Sequence, residues 1–283
     1  MKFISYLKSY TILAVLPVLA VLVSSCLSEE SKLAAIAEVA NKQCPMAMEP
    51  DGTITGVKFD RATRTLTYEI QSNLDPEFLA MKGNVEWMKR SMFIELSRES
   101  PDDEDINDIL DLLIKCNGTL EYVFNNIVGA YPLSVKISTD ELKKLRNSNM
   151  SEAQLNEENL NLILELVNSG VTEEYTDGLR FKKVYNSDDV VIVYEADETL
   201  YDMKALEQAK DELRSTMLDE VLSSPDMEAL VEAAVAADKG LVISYEGSAG
   251  TKGLQLRYTP EELGEINFTT FNPTQIALPD YNN

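Results

Sequence analysis

The sequence predicts an α+β protein made of two tandem copies of one α-β-β-α-α-β-β unit, each a four-stranded antiparallel sheet with helices packed on one face. Three observations lead there. The 283 residues are 45% hydrophobic, ordinary globular material in a chain long enough for two cores. Short motifs recur in the same order in both halves. Each half also passes between strand-like and helix-like hydrophobic spacing in the same succession.

The recurrence can be followed by residue. Asp51-Gly52 returns as Asp177-Gly178 and Leu66-Thr-Tyr-Glu69 as Ile192-Val-Tyr-Glu195, both shifted by 126. Arg90 to Glu95 matches Arg214 to Asp219 and Ser100-Pro101 matches Ser224-Pro225, shifted by 124. Leu120 to Phe124 matches Leu241 to Tyr245, and Leu133 to Leu142 matches Leu254 to Leu263, shifted by 121. Two small indels in a duplicated domain of common size account for the falling shift. The boundaries are then 32–148 for the first repeat, 149–266 for the second and 267–283 for an irregular tail.

Each copy opens on a helix, about Lys32 to Lys42 and Glu152 to Ser169, the second with Ser151 and Gln154 spaced as a capping box. Two strands follow with short turns, Thr53–Asp60 with Thr65–Gln71 and Leu179–Tyr185 with Val190–Ala196, which read as hairpins. Val85 to Glu99 and Met203 to Leu222 have the three- and four-residue apolar spacing of amphipathic helices. Pro101 and Pro225 begin a further helix after the N-caps Ser100 and Ser224, and the acids Asp102 to Asp105 answer the helix dipole in the first copy. That acidic run lacks the glycine that the sharp turn of a calcium loop needs. Leu120–Phe124 with Leu133–Ile137, and Leu241–Tyr245 with Leu254–Tyr258, supply the last two strands. Ser138 with Glu141 and Thr259 with Glu262 then cap a short closing helix.

The N-terminus carries Lys2 and Lys8 ahead of an uncharged apolar run from Tyr10 to Val23. The run is shorter than the roughly 20 residues of a spanning helix, and small residues and Cys26 close it, as in a signal peptide. With Leu22-Val23-Ser24-Ser25-Cys26 the chain resembles the bacterial lipoprotein family, whose lipobox ends on the cysteine that is diacylated. The resemblance covers residues 1 to 26 only. It implies removal of residues 1–25, lipid on Cys26 and a membrane held through that lipid. Residues 26–31, Cys-Leu-Ser-Glu-Glu-Ser, form an acidic tether that resembles the export signal of Bacteroidota-type surface lipoproteins, which implies an outer-membrane location on the periplasmic or surface face.

Composition excludes several functions. Without residues 1–25 the chain keeps 23 cationic side chains against 48 acidic ones, a balance of −25 that repels phosphate backbones and anionic headgroups. Nucleic acid is not a partner. Histidine is absent, which removes the commonest general base and the commonest metal ligand, so no catalytic residue, metal site or cofactor is expected. Two cysteines remain beside Cys26. Cys44 aligns with Gly170 and Cys116 with Ala237, and joint replacement by small residues is what a bridge predicts. A Cys44–Cys116 disulfide closing a loop of about 72 residues would stabilise the fold by about 4 kcal/mol; two independent buried thiols are the alternative.

Other motifs carry little chemistry. Gly247-Ser-Ala-Gly250 reads as a flexible hairpin loop, because a nucleophile elbow would need a histidine. Glu69 and Glu195, and Glu95 and Asp219, occupy equivalent places and could imitate a glycosidase pair; strand packing by Tyr68 and Tyr194 with solvated acids accounts for them as well. Trp87 lies among Met88, Met92 and Phe93, the pattern of a core residue. The sequence therefore reads as a lipid-anchored envelope protein whose duplicated domains form a binding or interaction module without catalysis, with an envelope protein or a glycan as partner. A carboxylate-dependent hydrolase and a structural subunit are the alternatives.

Overall fold

The computed structural model describes residues 27–48, 52–72, 84–99, 103–126, 132–169, 178–224, 227–249, 251 and 253–268. The lipobox Leu22–Cys26, Asp51, Ser100-Pro101-Asp102, Gly170, Asp177, Pro225, Gly250 and the tail beyond 268 lie outside them. Two compact units divide after Leu162.

The first unit begins with α1 (Glu29–Gln43), which starts earlier than the sequence suggests. Ser28 caps it by accepting from Ser31 N–H, so Glu29 and Glu30, read as tether, form the first turn and complement the dipole. Next come β1 (Met46–Met48), β2 (Gly52–Asp60), β3 (Thr65–Ser72), α2 (Asn84–Glu99), α3 (Glu104–Lys115), β4 (Thr119–Asn126), β5 (Leu133–Ile137) and α4 (Thr139–Arg146). The N-cap of α3 is Asp103, whose carboxylate accepts from Asp105 and Ile106 N–H at 2.9 and 3.1 Å. The second unit takes over within α5 (Glu152–Ser169), where the Ser151–Gln154 capping box is formed. It continues through β6 (Leu179–Asn186), β7 (Val190–Ala196), α6 (Met203–Gln208), α7 (Lys210–Thr216), a π-helical turn (Met217–Leu222), α8 (Glu228–Ala236), β8 (Leu241–Gly247), β9 (Gln255–Tyr258) and α9 (Pro260–Gly264). The single helix expected over 203–222 is thus broken in two places, and Met227, not Ser224, precedes α8.

Both sheets are mixed. Their strand orders are β1-β2-β3-β4-β5 and β6-β7-β8-β9, and β3 with β4, like β7 with β8, runs parallel. The purely antiparallel sheet expected from the sequence is corrected here for a physical reason. The helices between the two hairpins form a crossover that carries the chain from the end of one strand back to the edge where that strand began, which is how parallel neighbours are joined. The first sheet also has a fifth strand, β1, on the outer side of β2.

Several features occur in both units. Tyr68 stacks on Tyr122 with ring centroids 5.4 Å apart, and Tyr194 on Tyr245 at 5.8 Å. Sequence matching pairs Tyr122 with Ile243, but the ring opposite Tyr194 is Tyr245. The second hairpin is offset by two residues, a slip that leaves every side chain on its own face. Asn41 Oδ1 accepts from Val57 N–H at 3.0 Å, and Asn168 Oδ1 from Val184 N–H at 2.9 Å. Glu141 accepts from Ser138 N–H and from Lys89 Nζ; Glu262 accepts from Thr259 N–H and Arg214. Leu66, Tyr68, Ile70, Leu120, Tyr122 and Phe124 are buried on one face of the first sheet. The other face presents Glu69 with Lys58, and Glu121 with Ser134 and Lys136.

The closing capping box makes the first unit acid-sensitive. Burial pushes the Glu141 carboxyl up, but the Ser138 hydroxyl, Lys89 and the Ser138 N–H outweigh it and hold the carboxyl down at about 2, against an ordinary 4.5. A depressed folded value stabilises above the unfolded value and is lost as pH falls toward the folded one. Acid titration of stability should therefore be flatter between pH 4.5 and 2 in Glu141→Gln than in the parent. Equal slopes in that window would contradict the assignment.

Candidate functional site

The second sheet carries a cavity of about 680 Å³ at the carboxyl ends of its two parallel strands. Alternation along β7 and β8 places Val193 and Glu195 on the same face as Ser244 and Glu246, and the register sets Glu195 directly beside Glu246. Opposite, a bulge between Phe181 and Lys183 adds Lys182 to β6. A bulge re-aims one side chain, and this one turns Lys182 onto the acidic pair. Its Nζ lies 3.3 Å from Glu195 Oε2 and 3.2 Å from Glu246 Oε2. Arg180 donates to the other oxygen of Glu195 at 2.5 Å. Only 13% of the Glu195 side chain is exposed, so this network is half inside the protein.

The remaining walls come from the segments that follow each parallel strand. Glu207 and Lys210 reach the cavity from the α6–α7 crossover, and Ser248, Thr251 and Gly253 from the β8–β9 connection. The latter was expected to be a flexible loop. Its described residues are held by hydrogen bonds: Ser248 N–H donates to Ala196 O at 2.9 Å, Glu198 N–H donates to Ser248 Oγ at 3.2 Å, and the Glu198 carboxylate accepts from Ala249 N–H and the Thr251 hydroxyl. Glycine is required at 253, where an added Cβ would come within 1.2 Å of the Tyr245 carbonyl oxygen.

Electrostatics define what this arrangement can do. Hydrogen bonds from Lys182 to Glu246 and Glu195 raise its ammonium above the ordinary lysine value, so it stays charged and is no nucleophile. Both carboxylates in turn hold Lys182. The site is a polar cavity with charges of both signs.

Other residues singled out from the sequence fall elsewhere. Glu69 pairs with Lys58 in the first sheet, and its neighbour across the parallel pair is Val123, so no second carboxylate stands beside it. Glu95 lies on α2 against Arg98 at 2.9 Å, its carboxyl pushed up by burial, and Asp219 is exposed on the π-helical turn. Trp87 is buried, and its indole N–H donates to Leu162 O at 2.9 Å, as suits a core residue. Among the described residues no three side chains converge as metal ligands, and no helix is long and apolar enough to cross a membrane.

Cys44 and Cys116 are not bridged; both are free thiols. Cys44 ends α1, its thiol donating to Ala40 O at 3.6 Å, whereas Cys116 ends α3 within the field of Glu30, at the opposite end of α1. The 14 residues from Glu30 to Cys44 amount to about 21 Å of helix, far beyond the roughly 7 Å Cα limit of a disulfide. Burial pushes both thiols up, which makes them inert rather than reactive.

Comparison with protein-family models, with curated proteins and with solved structures finds no match to this chain.

Proposed function

We propose that the chain is a lipid-anchored cell-envelope protein acting as a binding module without catalysis, and that its ligand site is the cavity on the second sheet. The observation that carries this reading is the preorganised network of Lys182, Glu195 and Glu246 at the carboxyl ends of the parallel strands, the place where open sheets with crossover helices hold ligands. A volume of about 680 Å³ lies within the roughly 300–1,000 Å³ of small-molecule sites. On the sheet both Glu195 and Glu246 are engaged by Lys182, which supports binding over hydrolysis.

Duplication explains the scaffold. The shared crossover, the stacked tyrosines, the Asn41 and Asn168 bonds and the two capping boxes support an origin of both units from one α-β-β-α-α-β-β ancestor. The lipid on Cys26 places the module at the outer membrane, and the cavity residues all follow Ser151, in the repeat further along the chain from the anchor.

Thermal unfolding of the intact chain in detergent, screened against free amino acids, short peptides and neutral oligosaccharides, tests this reading. A ligand at 100 times its Kd adds about 2.7 kcal/mol to the stability of the state that binds it. One class should raise the unfolding temperature of the parent and not of Lys182→Met. An equal response in both proteins, or none from any class, would contradict it.

A further inference from the structure

The lining of the cavity points to the class of its ligand. On the sheet side charge is already matched, since Lys182 lies between Glu195 and Glu246, and Arg180 holds the far oxygen of Glu195. From the crossover come one carboxylate, Glu207, and one ammonium, Lys210. Neither makes a hydrogen bond or an ion pair with any described residue. They stand three positions apart on either side of Ala209, which ends α6 and precedes α7.

This pair discriminates among ligand charges. A small anion could engage Lys210, but it would meet three carboxylates against two ammonium groups, in a chain whose formal charge is −23. A simple amine would satisfy Glu207 and leave Lys210 unmatched. A neutral sugar would leave both charges without a partner once water is displaced, a cost that a polar site imposes on ligands lacking the complementary group. A molecule with both charges meets both.

Resting on the reading of this cavity as a ligand site, we propose that it takes a small zwitterion, an amino acid or short peptide with free termini, its carboxylate on Lys210 and its ammonium on Glu207. The polar floor provided by Ser244 and Gln255, together with the pinned β8–β9 connection, accommodates the amide groups between the two ends. Neither Glu207 nor Lys210 is part of the core, so both can be exchanged without disturbing the fold.

Calorimetric titration of the intact chain in detergent with four probes tests this: triglycine, N-acetyltriglycine, triglycinamide and maltotriose. Triglycine should bind, and blocking either terminus should weaken it by about tenfold or more, the worth of one charge-assisted hydrogen bond. In Lys210→Met triglycine and triglycinamide should bind alike, and in Glu207→Gln triglycine and N-acetyltriglycine should. Blocked peptides that bind the parent as tightly as triglycine would overturn the proposal. So would binding of maltotriose without triglycine, lost in Lys182→Met, although the cavity would then stand as a site for another class. No binding by any probe overturns it as well, and the wider thermal screen then decides whether the cavity is a ligand site.

Discussion

Replacing Tyr122 by alanine is expected to lower the stability of the first unit by about 3–5 kcal/mol, the range for removing a large aromatic side chain from a packed core. Tyr122 is fully buried on β4, in parallel register with Tyr68, and the two rings stack at 5.4 Å with planes 21° apart. Its removal leaves a cavity between the sheet and the helices above it, and Leu66, Leu120 and Phe124 around it sit on strands that cannot collapse inward. Tyr245 holds the same place in the second sheet but is only half-buried, its hydroxyl donating to Met217 Sδ on the π-helical turn at 3.6 Å. Tyr245→Ala should accordingly cost clearly less than Tyr122→Ala. Urea unfolding followed by tyrosine and Trp87 fluorescence measures both; equal losses would contradict the difference in packing.

Cys26→Ser should move the protein from the membrane fraction to the soluble fraction in full. With residues 1–25 removed, as proposed, the chain has 23 cations against 48 acids, a balance that repels anionic headgroups. On the proposed anchor, attachment would depend on acyl chains, at about 0.8 kcal/mol for each buried methylene. Only Leu27 and Ser28 separate Cys26 from α1, so a lipid on Cys26, as proposed, would be closely joined to the first unit. Cell fractionation, with a high-salt wash of the membranes, is the measurement: the parent stays with the membrane and Cys26→Ser does not. A variant retained through the wash would show an anchor other than this lipid.

Much of the scaffold was legible from local chemistry. Hairpins announced themselves through Arg61-Ala-Thr63 and Asn186 to Asp189, and the closing helices through Ser138 with Glu141 and Thr259 with Glu262, because turns and caps depend on neighbours within four residues. Strand direction does not. The sense of β8 relative to β7 is set by where the crossover ends, which no local pattern encodes, and this concealed the site. In the expected antiparallel pairing, Glu195 near the end of β7 would lie far from Glu246 near the end of β8. In the parallel pairing they are neighbours. The bulge that turns Lys182 toward them was equally silent, since Arg180-Phe-Lys-Lys183 reads as plain alternation. The cysteines misled for a related reason: the joint absence of sulfur from the matching places in the second half suggested proximity, while α1 keeps the two thiols a helix length apart.

On the proposed function, the ligand binds on the polar face of the second sheet, at the carboxyl ends of β7 and β8. Hydrogen–deuterium exchange on the intact chain, with and without a saturating ligand from the thermal screen, addresses it most directly. Slowed exchange is predicted in residues 195–210 and 244–255, with residues 52–137 unchanged. Protection confined to residues 52–137, with the β7–α6 and β8–β9 segments unaffected, would contradict it.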